Sequence, residues 1–364
     1  MPWSYHLPTQ ITFGEGVFRD IDRWWLAKLG RRVGLITSPS QQARAVELKV
    51  CARWDKITSN PSVATLQSLI KWVKSESLTG LVALGGGSVI DSAKVASVLA
   101  CQDISLVEAL TRKTQLVARH LPLIACPTTA GTGAEVTKWA TVWGDDLRKY
   151  SFEHELAYPL QAVIDPELTY SLPRQITAST GLDAFAQAIE AYWSRNTQPL
   201  SQTLALRAIE LIYATLPKAV DQPKDGTARH DMALGSLLAG LAFTGTRTTA
   251  CHAISYPMTA HFGVPHGFAV ALTLPNMLRF NAESFVNFST FVKALDADSI
   301  EAAAKRIEQL MQVVGAPTTL AAAKVPKTGL QTILDEGFHP DRVIHNPREL
   351  DRQSLSEMLT KIAN

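Results

Sequence analysis

Three histidines lie within fifteen residues in the second half of the chain: His252, His261 and His266. The whole sequence has only nine histidines. Imidazole is the commonest metal ligand and the usual proton carrier near neutral pH, so this cluster is a candidate site for metal binding or proton transfer. A single histidine is more often a hydrogen-bonded structural residue, and for His261 that alternative stays open.

A carboxylate that could join these imidazoles lies upstream, at Asp183. Asp183 and Gln187 are four residues apart and share one face of a predicted helix. The surrounding run is too apolar for an ordinary solvated face. Because an unpaired buried charge is very costly, Asp183 must be paired, must cap the helix start or must bind a metal.

A glycine-rich loop, Gly85-Gly86-Gly87-Ser88, follows a predicted strand and precedes a predicted helix that carries Asp91. Glycines let a phosphate approach the backbone closely, and a helix start offers free N–H groups to it. A purely steric turn is the alternative. The position between strand and helix favours a nucleotide pyrophosphate, although the loop is neither G-x-G-x-x-G nor a P-loop.

Two further strand ends fit the same nucleotide site. Hydroxyls and glycines follow one of them at Thr128, Thr129 and Thr132, where a loop that merely turns is the alternative. The other ends at Ser38 and has no acidic residue to bind a ribose 2′-hydroxyl and repel a 2′-phosphate. This absence favours NADPH, or tolerance of both NADPH and NADH.

The elements that must position these residues change character near residue 165. Up to there, short apolar strands alternate with helices, which predicts a parallel sheet. The predicted strands are 11–13, 33–37, 81–84 and 121–126, with a β-rich patch at 139–143 and 162–164, and the predicted helices are 41–49, 62–76 and 89–100. Beyond it the pattern is helical, at 177–194, 199–215, 228–244, 250–261, 268–282, 299–314 and 353–363. We therefore expect an α/β domain over 1–165 and an all-helical domain over 166–364.

The composition is typical of a soluble globular protein whose partners are small molecules. Of 364 residues, 46% are hydrophobic and 19% charged, and the net charge of +2 is too small for a nucleic-acid surface. Neither a signal peptide nor a membrane span is recognisable, so a cytoplasmic location without a membrane partner is expected. The four cysteines form no C-x-x-C pair, which argues for reduced thiols and against a cysteine metal site.

Four motifs, in order along the chain, resemble the iron-containing (group III) alcohol dehydrogenase family. They are Gly85-Gly86-Gly87-Ser88 with Asp91 and Lys94, Thr128-Thr129-Ala130-Gly131-Thr132-Gly133, Gly181-Leu182-Asp183-Ala184 and Pro265-His266-Gly267. The resemblance implies a dinucleotide-binding α/β domain with a parallel sheet and an all-α C-terminal domain, the architecture shared with dehydroquinate synthase. It also implies an enzyme that is commonly a dimer.

The resemblance implies a divalent metal, Fe²⁺ or Zn²⁺, held by Asp183, Gln187, His252 and His266. Two positions depart from the family pattern: Gln187 replaces the usual helical histidine, and Tyr256 replaces a further histidine. The metal and its requirement are therefore open. Tyr256 could carry a proton or simply pack its ring, and His261 is a second catalytic candidate. The residues expected to bind NADPH or NADH are Ser38, Gly86, Gly87, Ser88, Asp91, Thr128, Thr129, Thr132 and Lys149.

Within the family, segments around Lys138, Tyr192 and Arg247 are similar to the phosphonoacetaldehyde reductases. The expected reaction is hydride transfer from reduced nicotinamide to a small anionic aldehyde, phosphonoacetaldehyde, giving 2-hydroxyethylphosphonate. Arg247, Thr248 and Lys138 are candidates to bind the phosphonate, with a surface charge or salt bridge as the alternative for each cation. Rival functions are a reductase of another anionic carbonyl or unsaturated acid, a lyase or cyclase, and a non-catalytic cofactor-binding protein.

Overall fold

The chain forms two compact units in the computed structural model. The structure describes residues 2–22, 28–45, 48–111, 115–144, 146, 148–284 and 287–364, without the side chains of residues 43, 45, 340 and 341. The α/β unit comprises His6–Thr129 and Gly133–Thr169, and the helical unit comprises Met1–Tyr5, Ala130–Thr132 and Tyr170–Asn364. The domain boundary between residues 165 and 166 stays a prediction, because compactness alone does not define a folding domain.

Six parallel strands form the main sheet of the α/β unit within the described residues, which confirms the predicted parallel sheet. Their order is β1-β8-β5-β4-β2-β3, and a separate antiparallel hairpin joins β6 to β7. The strands are β1 Gln10–Phe13, β2 Val33–Thr37, β3 Ala52–Trp54, β4 Gly80–Gly85, β5 Leu123–Pro127, β6 Trp139–Trp143, β7 Lys149–Glu153 and β8 Gln161–Ile164. β2, β4 and β5 are buried throughout, since apolar clusters cover both sheet faces.

Four α-helices of this unit lie in the described residues, and α3 starts directly after a strand end. They are α1 Gln42–Ala45, α2 Val63–Ser75, α3 Gly87–Leu99 and α4 Leu106–Leu110. Ser62 caps α2, and a Ser105–Glu108 capping box starts α4, a helix that the sequence reading missed. The predicted helix 41–49 is confirmed only over α1, and residues 46 and 47 lie outside the described residues.

Helices make up the second unit, also as predicted. They are α5 Arg174–Trp193, α6 Pro199–Asp221, α7 Gly226–Thr246, α8 Ala250–Phe262, α9 His266–Asn281, α10 Phe288–Lys293, α11 Ile300–Val313, α12 Gly329–Glu336, α13 Pro340–Val343 and α14 Arg352–Lys361. α5 packs against α6, α7 and α9 and is buried over most of its length. The short helices α10, α12 and α13 were not predicted. No helix in the described part of the chain is long and apolar enough to cross a membrane.

Candidate functional site

Asp183, His252 and His266 come together in the helical unit from three different helices, α5, α8 and α9. One potential ligand atom from each lies within 4.8 Å of the others. The Oδ1 atom of Asp183 is 3.3 Å from His252 Nε2 and 3.9 Å from His266 Nε2. A carboxylate and two imidazoles at these separations form a donor set suited to a divalent transition metal.

The close approach of α9 to α5 places His266 beside Asp183. His266 is the first residue of α9, with Pro265 as its N-cap, so the Pro265-His266-Gly267 motif forms the start of a helix. A Cβ atom on Gly267 would lie 1.8 Å from the carbonyl oxygen of Ser179. Only a glycine lets the two backbones come this close, which explains why glycine follows the histidine.

Glu190 contacts the Nδ1 atom of His252, on the side of the ring away from Asp183, and the sequence analysis did not identify it. Its fully buried carboxylate pairs with His252 Nδ1 and accepts hydrogen bonds from Thr249 Oγ1 at 2.7 Å and from the Cys251 amide at 2.8 Å. Burial alone would lower the pKa of His252, but Glu190 and Asp183 together raise it to about 9. With Nδ1 engaged, Nε2 is the ring atom left to bind a metal.

Two buried polar atoms, Gln187 Oε1 and His252 Nε2, are unsatisfied within the described part of the chain, as expected of groups that bind a ligand. Gln187 Oε1 and His252 Nε2 are buried and have no hydrogen-bond partner among the described residues, since the approach of Nε2 to Asp183 lacks hydrogen-bond geometry. Buried polar atoms are normally satisfied, and an unsatisfied one costs about 1–3 kcal/mol. A cation held by Asp183, His252 and His266 would satisfy His252 Nε2, and Gln187 lies one helical turn after Asp183 on α5, so the residues present fit a divalent metal.

The glycine-rich loop of the α/β unit has the predicted geometry. β4 ends at Gly85, and α3 starts at Gly87 without a side-chain cap on its first N–H groups. The Thr128 amide donates to the Gly85 carbonyl at 3.0 Å, and a Cβ on Gly86 would lie 3.2 Å from Thr129 Oγ1. The structure thus brings two predicted phosphate-binding segments together at the carboxyl edge of the sheet.

Comparison with known proteins identifies the family. A family model described as iron-containing alcohol dehydrogenase matches residues 8–166, and one described as the Fe-containing alcohol dehydrogenase family, C-terminal, matches residues 177–363. The chain belongs to the iron-containing alcohol dehydrogenase family. It is accordingly an enzyme of the alcohol dehydrogenase and aldehyde reductase class, as predicted.

The similar proteins cover most or all of the chain. Long-chain-alcohol dehydrogenase 1 of Geobacillus thermodenitrificans is 34% identical over 331 residues, covering 88% of this chain and 82% of that protein. Choline dehydrogenase of Bacillus subtilis is 31% identical and covers 99% and 95%. The structure of sulfoacetaldehyde reductase from Bifidobacterium kashiwanohense in complex with NAD+ superposes with a TM-score of 0.93 at 33% identity, covering 100% and 99%.

Tyr256 lies beside the candidate metal ligands Asp183, His252 and His266, whereas His261 lies at the exposed end of its helix. Tyr256 is one turn after His252 on α8, and its ring stacks on that of His266 with the centroids 6.2 Å apart. His261 lies on the exposed end of α8, where its Nε2 atom is 2.8 Å from a carboxylate oxygen of Glu336. The catalytic roles of both residues stay predictions.

The predicted cofactor residues outside the two loops have varied surroundings. Asp91 Oδ2 accepts a hydrogen bond from the Thr141 amide at 2.8 Å, so this carboxylate is engaged within the α/β unit. Ser38 Oγ is 2.9 Å from Ser40 Oγ at the end of β2, and Lys149 lies in β7. Thr132 belongs to the helical unit. Cofactor binding by these residues stays a prediction.

The three predicted substrate-binding residues differ in how they are held. Lys138 Nζ lies 2.7 Å from Glu155 and 3.7 Å from Glu153, so two carboxylates balance its charge. Arg247 ends α7 with φ +63°, a backbone conformation that residues with a side chain rarely adopt. Thr248 is buried. Substrate binding by these residues stays a prediction.

A buried acid of the α/β unit, Glu135, gives a pH prediction. Burial raises its pKa from 4.5 to about 7, so between these values the folded state binds more protons than the unfolded state. Stability should therefore fall by about 2 kcal/mol as the pH rises from 5 to 7. Denaturant unfolding at both pH values should show a fall that is smaller in Glu135→Gln than in the wild type by about 2 kcal/mol. The exposed Glu357→Gln should keep the wild-type dependence, and an unchanged fall in Glu135→Gln would contradict the assignment.

Proposed function

We propose that this chain catalyses reduction of a small anionic aldehyde to the corresponding alcohol with a reduced nicotinamide cofactor. A hydride leaves the nicotinamide for the carbonyl carbon and a proton is added to the carbonyl oxygen, so the aldehyde is reduced and the nicotinamide oxidised. The observation that carries the proposal is the convergence of Asp183, His252 and His266 within 4.8 Å in a member of this family. A homodimer is proposed from the resemblance to the family.

Asp183, His252 and His266 would hold a divalent metal, with Gln187 as a fourth ligand one helical turn after Asp183. Such an ion supplies Lewis-acid polarisation of the carbonyl oxygen. Glu190 orients His252 through its Nδ1 atom, and the buried surroundings of Asp183 and His252 exclude water. The Tyr256 hydroxyl, on a ring stacked against His266, is the proposed proton donor.

NAD(H) is the cofactor supported by the relative solved with NAD+, a reductase at 33% identity over the whole chain. The helix start at Gly87 and the hydroxyls of Thr128 and Thr129 would bind its pyrophosphate. No acidic residue follows β2, so use of NADPH is proposed as well. The ratio of kcat/KM for NADH and NADPH measures the preference.

An anionic aldehyde is supported by two independent likenesses. The relative with a TM-score of 0.93 is a sulfoacetaldehyde reductase, and the sequence segments around Lys138 and Arg247 resemble phosphonoacetaldehyde reductases. Both substrates are two-carbon aldehydes with an oxyanion head group. Arg247 and Thr248, a few residues before His252, stay the candidates that the sequence offers for contact with that group. Gln187 favours a second candidate, metal-independent reduction of another anionic carbonyl or unsaturated acid.

The test follows NADH and NADPH absorbance with the purified enzyme loaded with Fe²⁺ or Zn²⁺. Sulfoacetaldehyde, phosphonoacetaldehyde and uncharged propionaldehyde are compared at neutral pH. We expect kcat/KM for at least one anionic aldehyde to exceed that for propionaldehyde by about 10-fold or more, the worth of a charge-assisted hydrogen bond. Equal or better turnover of propionaldehyde would contradict the anionic substrate. Absence of turnover with every aldehyde and metal would contradict the aldehyde reductase itself.

A further inference from the structure

Arg342, Tyr256 and His339 form a polar cluster beside the candidate metal centre, and sequence reasoning had assigned no role to Arg342 or His339. We propose that this cluster, which we name the arginine pocket, binds the oxyanion head group of the substrate. Arg342 is its principal contact, and the class of ligand is a sulfonate, phosphonate or carboxylate. The inference rests on the proposed reduction of an anionic aldehyde and adds the site that recognises the anion.

The Tyr256 ring connects the arginine pocket to the candidate metal site formed by Asp183, His252 and His266. The Tyr256 ring stacks on His266 at a centroid separation of 6.2 Å and an interplanar angle of 24°. The Nε atom of Arg342 donates a hydrogen bond to the Tyr256 hydroxyl at 3.2 Å. The His339 ring meets the Tyr256 ring edge-on at 5.6 Å. The Tyr256 side chain therefore contacts His266, a proposed metal ligand, and also the side chains of Arg342 and His339.

The exposed fractions of the three candidate metal ligands indicate the side from which a small molecule would reach the site. The side chains of Asp183 and His252 are each 5% exposed, whereas that of His266 is 30% exposed. A small molecule would thus approach on the His266 side, where Tyr256 is stacked. A short anionic aldehyde with its carbonyl group at the cluster would have its head group close to Tyr256 and Arg342.

The chemistry of these side chains suits an oxyanion. A guanidinium carries five N–H donors in a planar fork that matches two oxygens of a sulfonate, phosphonate or carboxylate. The Tyr256 oxygen accepts the bond from Arg342, which keeps the guanidinium beside the ring that stacks on His266. Lys138 belongs to the α/β unit, whereas Arg342 contacts Tyr256 in the same unit as the candidate metal ligands. By its position, Arg342 is therefore the stronger candidate for recognising the anion.

Steady-state kinetics on the metal-loaded enzyme test the arginine pocket. Arg342→Gln should lower kcat/KM for the preferred anionic aldehyde by about 50-fold, mainly through KM, and lower kcat/KM for propionaldehyde by a clearly smaller factor, because Arg342 also holds the Tyr256 hydroxyl, the proposed proton donor. Arg342→Lys keeps the charge without the fork and should lose about 10-fold on the anionic aldehyde. Arg348→Gln is the matched control, since Arg348 is an exposed arginine nearby in sequence that packs over the Phe280 ring.

A binding measurement gives an independent readout. Calorimetric titration with ethanesulfonate in the presence of cofactor should give a dissociation constant about 10-fold weaker or more in Arg342→Gln than in the wild type and in Arg348→Gln. An equal loss of kcat/KM on charged and uncharged aldehydes, or unchanged ethanesulfonate binding, would overturn the inference and leave the proposed function standing. If Arg342→Gln does not fold, the same comparison is made with Arg342→Lys. A wild type that prefers the uncharged aldehyde would instead overturn the proposed function.

Discussion

Replacing Gly267 by alanine is expected to separate His266 from Asp183 and to abolish metal binding. The new Cβ would lie 1.8 Å from the Ser179 carbonyl oxygen and 3.1 Å from the Asp183 amide nitrogen, so backbone atoms of α5 and α9 must move apart. Because backbone cannot yield as a flexible side chain does, we expect a loss of about 3 kcal/mol in the free energy of unfolding. Denaturant unfolding and metal titration of the purified variant measure both effects.

Gly245→Ala provides the matched control for this prediction. Gly245 lies in α7, is exposed, and has nothing within 4 Å of the place its Cβ would take. Alanine there should be neutral or slightly stabilising, because glycine costs about 1 kcal/mol relative to alanine inside a helix. If Gly267→Ala also had wild-type stability and bound metal normally, the close packing of α9 on α5 would not be what positions His266.

Glu190→Gln is expected to weaken metal binding by about 10-fold to 100-fold, the usual cost of losing a carboxylate behind a histidine ligand. The amide keeps the size of the side chain but removes the charge that pairs with His252 Nδ1. Asp183, Gln187 and His266 remain in place, so some binding should persist. Competition titration with a chromophoric chelator gives the affinity without relying on catalysis.

Glu210, an exposed acid on α6, serves as the control for Glu190. Glu210 is 47% exposed on α6 and pairs only with Arg207 among the ion pairs of the described residues. Glu210→Gln should leave the metal affinity unchanged, because surface pairs contribute about 0–1 kcal/mol. Wild-type metal affinity in Glu190→Gln would show that the carboxylate is structural and does not tune His252.

The sheet and the long helices could be predicted because their sequence patterns are strong. β2, β4 and β5 are apolar runs buried on both faces, and α5 to α9 are long enough for helical periodicity to show. β3 and β7 were missed for a different reason. β3 has only three residues, and it is held as a strand by pairing with β2. In the same way, β7 is held as a strand by pairing with β6. Such pairing depends on neighbours that a local pattern does not contain.

Part of the site was predictable and part was not. Asp183, His252 and His266 were identified from residue type, helical spacing and resemblance, and the structure brings all three together. Glu190 could have been identified in the same way as Asp183. It too is a carboxylate in an apolar helix, and it lies two turns further along the same face. Arg342 gave no signal, because it reaches Tyr256 from a segment 86 residues away in sequence. Contacts between such distant segments follow from the fold and not from spacing.

Turnover before and after metal removal tests the central claim most directly, namely aldehyde reduction at the Asp183, His252 and His266 cluster. Oxidation of NADH with sulfoacetaldehyde and phosphonoacetaldehyde is followed for the chelator-treated enzyme, for the enzyme reloaded with Fe²⁺ or Zn²⁺, and for His266→Ala. We expect activity to be lost on chelation, restored on reloading, and absent in His266→Ala, while that variant still binds cofactor. Undiminished activity after complete metal removal, or in His266→Ala, would contradict the account.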